Sequence, residues 1–572
     1  MLYLILCYSA ITCICLWVGL LFYSFLEGKK QSQGTIFHCL ITGLIVLTSI
    51  AQWIVLIFPL TAVSLFFILL PCFLCTIFRR KRIREILFQY VNCKWWRNTW
   101  FVMSLICFSI MILVLNAGPT MMDDTDSYHI QMIKWIQEYG SVPGIANLHL
   151  RFGFNTSWFT SIGLFSYPVA GLNSYLALNG LLSIWFCYFM LQKIFILSYD
   201  GKFNGFSNLW IGLLVLLSLS FLNWPMIRGS SCNANYDFIS TCCVVVLFVD
   251  LFDTQHEPSV EWLIWPLYLF TVRIMNFPLL ILSLVYIFRI MKPLSVKNLL
   301  LIILCGGFII FPFLIRDIIL SGYLIFPVYQ LDLFSFDWKA DKMKLVEISN
   351  YIKYFNRVNP MYQSMTITEK MNFPNWIPEW YKYLFRIDKL ILTFSFIGYV
   401  FLLFSIKNKK DILFRIFFFT MICQLISWFF IGPDPRFAYG PLLFGLFAAI
   451  NHLPRIKEFW NGFAKYPVLV ISFLVLIYGF SKIVRDDEYR NFLTPRRLPV
   501  PAVRTIKVGN VQMYIPEKIL NNWNPRCYDV ELPCLYKQDP RLEARGKRIE
   551  DGFRLKYFRN EIFTGGEYKI SE

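Results

Sequence analysis

The sequence predicts an all-α, polytopic membrane protein, from its composition, its apolar segments and the placement of its charges. Of its 572 residues, 57% are hydrophobic and only 16% are charged, which is far more apolar than a soluble domain. Segments long enough to cross roughly 30 Å of hydrocarbon, at about 20 residues each, recur along most of the chain. We therefore predict a bundle of about 12–14 transmembrane helices.

The apolar segments, taken in order, place these helices. Two of them are short and joined through Arg273 and Pro278, which is typical of half-spans that line a cavity. The first segment has no basic region before it and no small-residue cleavage pattern, so we expect it to be retained. The approximate bounds are 1–26, 35–56, 61–78, 100–117, 174–197, 208–226, 237–252, 261–272, 276–290, 299–320, 389–406, 412–430, 437–452 and 466–484.

Basic residues set the expected orientation. The net charge of +18 is concentrated in short connections such as Arg79-Arg80-Lys81-Arg82, which is typical of cytoplasmic loops and not of a nucleic-acid-binding surface. With this stretch inside, nearly every basic loop lies inside as well, and residues 118–173, 321–388 and 485–572 lie outside. We expect a transmembrane domain over 1–484 and a small extracytoplasmic C-terminal region over 485–572.

Two of the 16 cysteines differ from the rest in their surroundings. Most lie in apolar helices, where a thiol behaves as a small hydrophobic group. Cys527 and Cys534 instead lie in a polar segment. Their six-residue spacer allows a disulfide if this region faces an oxidising compartment.

Three aspartates directly follow the fourth apolar segment, at Asp123, Asp124 and Asp126. Carboxylates at a bilayer surface can accept a proton from a hydroxyl, hold a metal, or bind a polar substrate whose lipid tail stays in the bilayer. One of them can serve a helix N-terminus, but three together need a cation to offset their repulsion. We place the chemistry here and leave open which carboxylate acts.

A helix follows this cluster in the sequence. Thr125 is a suitable cap, and Gly140 is a suitable end. An apolar stripe at helical spacing opposes a polar face that includes Gln131 and Lys134, which predicts a helix lying in the membrane interface. Asp126 and His129 are three residues apart and share a face, so they can act together.

Other polar groups follow at helix ends on the same predicted side. His149 and Arg151 alternate with apolar residues, so an extended segment places both on one side. Arg151 either binds a phosphate through its guanidinium or pairs with an aspartate. Candidates from two further loops are Arg228, Asp237, Asp434 and Arg436. Arg228 and Arg436 suit a lipid phosphate, and the alternative for Arg436 is a pair with Asp434, since arginines near a membrane need partners.

These motifs carry a resemblance. The segment from Asp123 to Asn155, Arg228-Gly229-Ser230, Pro433-Asp434-Pro435-Arg436-Phe437 and the Cys527–Cys534 segment resemble a bacterial family of polytopic proteins associated with surface polysaccharide synthesis. That family is in turn similar to the C-type (GT-C) membrane glycosyltransferases. The resemblance implies a GT-C-like bundle in the bacterial cytoplasmic membrane, which transfers a sugar from a polyprenyl-phosphate donor to the hydroxyl of a glycan or lipid-linked acceptor at the extracytoplasmic face.

The resemblance also implies roles by position. Asp123 or Asp124 is the expected general base, and Asp126 or His129 orients it. Asp124 and Asp126 are the expected ligands if Mg or Mn takes part, since hard cations prefer oxygen. Arg228 or Arg436 neutralises the departing phosphate. The other expected substrate-binding residues are His149, Arg151, Asp237 and Asp434.

Two other function classes use the same groups. A carrier or flippase for a lipid-linked saccharide would use the arginines for phosphate and the aspartates as a proton relay. Such a carrier should hold acids in mid-helix, whereas Asp237 and Asp250 lie near helix ends. A polysaccharide polymerase or ligase also acts on polyprenyl substrates outside the cell. No Walker-type phosphate loop is present, which argues against an ATP-driven pump.

Overall fold

The structure is a computed structural model. It describes residues 1–26, 35–91, 98–167, 174–199, 207–253, 259–290, 296–357, 371–405, 412–453, 465–485, 487–489, 497–517, 526–535 and 537–556. This part of the chain is mostly helical, with short strands only in the C-terminal region.

Nineteen helices are described, and fourteen of them correspond to the predicted apolar segments, although the third runs to Val91 and not to about residue 78. In chain order they are α1 (Leu2–Phe25), α2 (Ile36–Val55), α3 (Ala62–Val91), α4 (Thr99–Ala117), α5 (Ile130–Glu138), α6 (Ser157–Phe165), α7 (Ala177–Tyr199), α8 (Asn208–Leu222), α9 (Trp224–Ser231), α10 (Asp237–Asp253), α11 (Glu261–Val272), α12 (Leu280–Ile290), α13 (Val296–Ser321), α14 (Lys342–Arg357), α15 (Ile377–Tyr383), α16 (Arg386–Ser405), α17 (Ile412–Ile431), α18 (Tyr439–His452) and α19 (Lys465–Arg485).

Nine of the described helices are long and apolar enough to cross a membrane, which confirms a polytopic membrane protein: α1 to α4, α7, α13, α16, α17 and α19. The prediction of about 12–14 spans also counted α8, α10, α11, α12 and α18. These five are helical but contain only 11 to 17 residues. Most residues of α10 and α18 are buried among other helices.

The predicted interruption near Arg273 is present. Helix α11 ends at Val272, Arg273 adopts an extended conformation with φ −153° and ψ 122°, and a 3-10 turn over Ile274–Leu279 leads into α12. Because the chain leaves the helical path at Arg273, the Arg273 side chain reaches the start of α10. The break therefore supplies a cation to the site described below.

The helix after the aspartates differs from the prediction. Helical structure begins at Asp123, passes through a π-helical turn over Thr125–His129 and continues as α5. Thr125 is therefore inside the helix and is not its cap; its hydroxyl lies 3.2 Å from His129 Nδ1. We call Asp123–His129 the aspartate turn, and the end of the bundle that carries it the site end.

The C-terminal region packs against the site end. Strand β1 (Val503–Val508) pairs antiparallel with β2 (Val511–Pro516), and β3 (Leu542–Ala544) pairs antiparallel with β4 (Phe553–Leu555). The amide of Phe553 donates to Pro143 O at 2.9 Å. The Asn147 side-chain amide donates to Phe553 O at 3.2 Å. Strand β4 of the C-terminal region is thus hydrogen-bonded to the polar segment between α5 and α6.

Helices α1 and α2 cross at two glycines, which allow their backbones to touch. A Cβ atom on Gly43 would lie 1.9 Å from Cys15 O, and one on Gly19 would lie 1.9 Å from Cys39 O. Small residues at such crossings let van der Waals contact replace the hydrophobic effect that lipid does not supply. These two glycines therefore fix the distance between α1 and α2.

We predict that Gly43→Ala lowers the stability of the folded protein by about 1–3 kcal/mol, the usual cost of overpacking, because the contact is with rigid backbone. Gly306→Ala in α13 is the matched control, since its Cβ would meet nothing within 4 Å. The midpoint of thermal unfolding in detergent measures both. Equal midpoints for the two variants would contradict the close crossing.

Candidate functional site

A cavity opens at the site end, and we call it the polar cavity because Asp237, Asp388, Asp434 and Arg436 stand among its otherwise largely apolar lining. Its volume is about 430 Å³, within the range of small-ligand sites. It lies among α9, the start of α10, the end of α14, α15, the start of α16 and the turn before α18. The lining residues are Met121, Met122, Met226, Gly229, Ser230, Asn235, Asp237, Phe238, Thr241, Phe355, Asn356, Arg357, Trp380, Tyr383, Leu384, Phe385, Asp388, Pro433, Asp434, Pro435, Arg436 and Tyr439.

Five charged residues of alternating sign run beside this cavity, and we call them the charge chain: Arg151, Asp124, Arg436, Asp237 and Arg273. Arg151 Nη1 bonds to Asp124 Oδ1 at 2.6 Å. Arg436 lies between two carboxylates, 3.9 Å from Asp124 Oδ2 and 3.9 Å from Asp237 Oδ2. Arg273 forms an ion pair with Asp237 at the far end. The predicted convergence of Asp124, Asp237 and Arg436 is therefore present.

The turn that carries Arg436 is held rigidly. Asp434 Oδ1 accepts the backbone amide of Arg436 at 3.0 Å, and Asp434 Oδ2 lies 3.0 Å from Arg436 Nε. Trp428 Nε1 donates to Asp434 O at 2.6 Å, and Trp380 Nε1 donates to Pro433 O at 2.8 Å. Arg436 thus pairs with Asp434, as one of the two sequence alternatives expects, and it also lines the cavity.

Backbone contacts connect the aspartate turn to the start of α10. Asn233 Oδ1 accepts the amides of Met121 and Met122 at 2.9 and 3.0 Å. Asn235 Oδ1 accepts the amide of Asp237 at 2.7 Å. These asparagines place Asp124 and Asp237 on the two sides of one arginine, although they are far apart in sequence.

The ionisation of Asp124 is set by its neighbours. Burial raises the pKa of this carboxyl, but the guanidinium groups of Arg151 and Arg436 outweigh burial and hold its pKa below the usual 3.8. For Arg436, burial lowers the pKa, and Asp434, Asp237 and Asp124 together raise it. Asp124 is therefore an ionised carboxylate and Arg436 a cation at neutral pH.

The other two aspartates have different surroundings. Asp123 has 63% of its side chain exposed and pairs with Arg526. Asp126 is almost fully buried, accepts from Thr120 Oγ1 at 2.6 Å and lies 3.5 Å from Arg526 Nη1. Asp124 is thus the member of the cluster that contacts Arg436.

A disulfide joins Cys527 and Cys534, the pair that the spacing predicts. We call Cys527–Cys534 the disulfide loop. Its Tyr528 amide donates to Asp126 O at 2.8 Å. Arg526, next to the loop, reaches Asp123 and Asp126. The C-terminal region therefore forms one side of the aspartate turn.

This loop also covers the polar face of α5. Gln131 Nε2 donates to Tyr528 O and Val530 O at 3.1 and 3.0 Å. Lys134 Nζ donates to Val530 O at 2.9 Å and lies 3.3 Å from Asp529 Oδ1. The prediction that α5 lies with this face open in the membrane interface is wrong, because both polar side chains are buried under protein.

The profile of a family described as a domain of unknown function (DUF8201) matches residues 1–443. The chain belongs to the DUF8201 family. The matched region contains every residue that lines the polar cavity, and the disulfide loop follows it. No curated protein and no solved structure matches the chain.

Of the predicted site residues of this DUF8201 protein, Asp237, Asp434 and Arg436 line the cavity, whereas Asp123, Asp124, Asp126, His129, His149 and Arg151 do not. His149 Nδ1 accepts the amide of Arg151 at 3.0 Å, and burial, helped by Arg151, lowers the pKa of His149 to about 3. Burial also lowers the pKa of His129 to about 3, and its ring packs against Phe159 and Tyr236. The side chain of Arg228 is outside the described part, although Gly229 and Ser230 of its helix line the cavity.

The predicted metal ligands do not form a metal site in the arrangement described. Asp124 faces Arg151 and Arg436, whereas Asp126 faces Thr120 and Arg526. Each carboxylate is already neutralised by a guanidinium, which is a poor setting for Mg or Mn. Among the described residues, no group of three or more His, Cys, Asp or Glu side chains is placed to hold a metal.

Several site residues of the DUF8201 chain were not found from the sequence. Arg273 and Arg526 complete the ion pairs of Asp237 and Asp123. Asp388 and Trp380 line the cavity, and Tyr439 Oη donates to Asp388 Oδ1 at 2.7 Å. The available signals were the helix break at Arg273 and the position of Arg526 next to a disulfide cysteine.

We predict that Lys134→Met loosens the disulfide loop from α5. The buried ammonium bonds to the loop would be lost, at a cost of about 1.5–3 kcal/mol for charge-assisted bonds, while the aliphatic stem stays. Amide hydrogen exchange of residues 526–535 should become faster. Lys342→Met is the matched control, because that side chain is 58% exposed. Unchanged exchange in Lys134→Met would show that these bonds do not hold the loop.

Proposed function

We propose that the protein is a membrane glycosyltransferase that moves a sugar from a polyprenyl-phosphate donor to an acceptor hydroxyl at the extracytoplasmic face. The observation that supports this most strongly is an ionised carboxylate and a guanidinium, Asp124 and Arg436, 3.9 Å apart beside a cavity of about 430 Å³. A base next to a phosphate-binding cation is what this transfer requires.

The proposed reaction is a single displacement. The proton of the acceptor hydroxyl moves to Asp124 as the acceptor oxygen forms a bond to the anomeric carbon of the sugar. The bond from that carbon to the phosphate oxygen breaks, and its electron pair stays on the phosphate. Arg436 neutralises the charge that develops there. Attack from the face opposite the leaving phosphate inverts the anomeric centre.

The two oxygens of Asp124 have different roles in this proposal. Oδ1 accepts from Arg151 at 2.6 Å, which fixes the orientation of the carboxylate. Oδ2 lies 3.9 Å from the Arg436 guanidinium, beyond hydrogen-bond distance. Oδ2 is therefore the atom we assign to accept the proton.

Arg436 is suited to a phosphate because its contacts with Asp124 and Asp237 are both long. A guanidinium fork binds phosphate through two parallel N–H groups. The 3.0 Å pair with Asp434 keeps the arginine in place while the fork turns toward a ligand. Tyr383 and Phe385, which also line the cavity, offer aromatic faces for a sugar ring.

The orientation in the membrane belongs to the same proposal. Long polar segments and the disulfide loop lie at the site end, and disulfides persist in oxidising compartments. The basic segment Arg79–Arg84, at the far end of α3, suits a cytoplasmic face. This arrangement supports the proposal that the cavity opens on the extracytoplasmic face of the bacterial cytoplasmic membrane.

One observation favours the carrier as a second candidate. Asp250 accepts from His38 Nε2 at 2.6 Å and from Lys193 Nζ at 3.0 Å, and both of these partners are buried. Nearby, Tyr23 donates to the buried Glu261. Ionisable groups inside a membrane domain are often parts of a proton relay, and a proton-driven carrier for a lipid-linked saccharide would use one.

We predict that Asp124→Asn lowers the rate of sugar transfer by purified protein about 10²–10⁴-fold, the usual contribution of a general base. The isosteric amide keeps the size of the side chain but cannot take the proton. Asp123→Asn is the matched control, since Asp123 is exposed and pairs with Arg526. Radiolabelled sugar passed from a polyprenyl phosphate to an acceptor is the measurement.

Full transfer by Asp124→Asn would remove Asp124 from the mechanism. Movement of the saccharide lipid across proteoliposomes without an acceptor, lost in Asp250→Asn and unaffected by Asp124→Asn, would support the carrier instead.

We predict that Arg151→Gln shifts the acid limb of kcat/KM to higher pH. The base acts only when ionised, so kcat/KM rises with pH through the pKa of Asp124, which Arg151 and Arg436 hold below 3.8. Removing one adjacent cation raises this pKa by about 1–3 units, and the limb moves by the same amount. Arg273→Gln, which alters Asp237 instead, should leave the limb in place. An unmoved limb in Arg151→Gln would exclude Asp124 as the titrating base.

A further inference from the structure

A second cavity, which we call the apolar groove, lies between α16 and α17. Its volume is about 640 Å³. Its walls are almost entirely hydrocarbon and aromatic rings: Trp380, Tyr381, Leu392, Thr393, Ser395, Phe396, Ile397, Tyr399, Ile422, Leu425, Ile426, Trp428, Phe429, Phe430 and Leu442.

The apolar groove faces the lipid. Both α16 and α17 are long and apolar enough to span the membrane. Phe396 is 71% exposed, Ile426 is 53% exposed and Phe430 is 50% exposed. Large exposed apolar side chains on spanning helices are placed to contact acyl chains. A lipid chain therefore enters the groove sideways without crossing water.

The same tryptophan lines the apolar groove and the polar cavity. Trp380 is common to both, and its ring lies 6.1 Å from that of Trp428. The indole nitrogens of this pair donate to Pro433 O and Asp434 O, in the turn that carries Arg436. Trp380 therefore lies between the polar cavity, which Arg436 lines, and the apolar groove, which Trp428 also lines.

These two compartments match the two parts of one amphipathic molecule. A phosphate head group is bound by a cation such as Arg436, and an apolar chain is stabilised by an apolar surface that excludes water. A ligand with both parts satisfies both compartments at once when its bend lies at Trp380. A bilayer phospholipid whose acyl chain fills the groove alone would leave no phosphate in the cavity beside Arg436.

We propose that the apolar groove binds the isoprenoid chain of the lipid whose phosphate lies at Arg436. This rests on the proposed function for the identity of the lipid, and it adds the place of the chain and its path of entry. The groove then selects a branched, unsaturated chain attached to phosphate over a free isoprenoid alcohol or a bulk phospholipid.

The test uses the full-length protein in phosphatidylcholine nanodiscs. The probe is a polyprenyl phosphate with a photoactivatable diazirine on its chain. Two comparison probes carry the same diazirine, one on the polyprenol without phosphate and one on a phosphatidylcholine acyl chain. Crosslinked peptides are mapped by mass spectrometry, with unlabelled polyprenyl phosphate as competitor.

We expect the phosphate probe to label α16 and α17 beside the groove, and the competitor to remove that label. Ile426→Trp should fill the groove and lower labelling about tenfold, the change that a loss of about 1.4 kcal/mol in binding produces. Phe419→Trp is the matched control, exposed on the same helix but outside the groove lining. Arg436→Gln should lower labelling as well, because the phosphate loses its cation.

Equal labelling by the phosphatidylcholine probe would mean that bulk lipid alone occupies the groove, and unchanged labelling in Ile426→Trp would place the chain elsewhere. Either result overturns the proposal. Because crosslinking needs no sugar transfer, labelling without transfer would contradict the proposed function alone. Transfer without groove labelling would contradict this inference alone.

Discussion

Arg436 is the charge on which the arrangement of the site depends. Its guanidinium lies among three carboxylates, Asp124, Asp237 and Asp434, at 3.0 to 3.9 Å. Without a cation there, these carboxylates would repel one another in partly dehydrated surroundings, where Coulomb energies are several times larger than in water. At the two ends of the charge chain, Arg151 neutralises Asp124 and Arg273 neutralises Asp237. Removing one partner from such a network is costly, since it leaves its neighbours buried and unpaired.

This compensation explains why short helices lie at the centre of the bundle. The start of α10 and the break before the 3-10 turn at Ile274 each bring one charged residue to this place, and the turn before α18 brings two, Asp434 and Arg436. A continuous span of about 20 residues would carry these groups into the hydrocarbon. The interrupted helices end instead at the depth of the cavity, where polar groups meet partners.

The sequence predicted much of the site because successive membrane-crossing segments end alternately on the two sides of the membrane. Their order therefore indicates which helix ends lie on the same side. Asp124, Asp237, Asp434 and Arg436 do meet, and the Cys527–Cys534 pair is joined. The metal ligand pair, the cap at Thr125 and the open polar face of α5 were not matched by the structure. The metal pair and the α5 face depended on neighbours from distant segments, whereas the cap failed because the helix already begins at Asp123.

Arg526 is the clearest of these distant neighbours. It follows Asp123 by 403 residues, and no local periodicity connects the two. Arg273 was not predicted as a site residue for a related reason. The sequence marks it as a helix junction, and only packing brings it to its partner Asp237. Spacing patterns identify chemical groups within a segment, whereas ion pairs across segments require the fold.

The disulfide loop has a consequence for the order of assembly. Arg526 leaves the ribosome 403 residues after Asp123, so the aspartate turn at first lacks its contacts with Arg526 and the disulfide loop. The residues that line the cavity can therefore be synthesised before Arg526, which pairs with Asp123 and Asp126. Completion of this surface therefore requires that synthesis has passed Cys534 and that the disulfide has formed, and a chain that stops before Arg526 lacks one side of the aspartate turn.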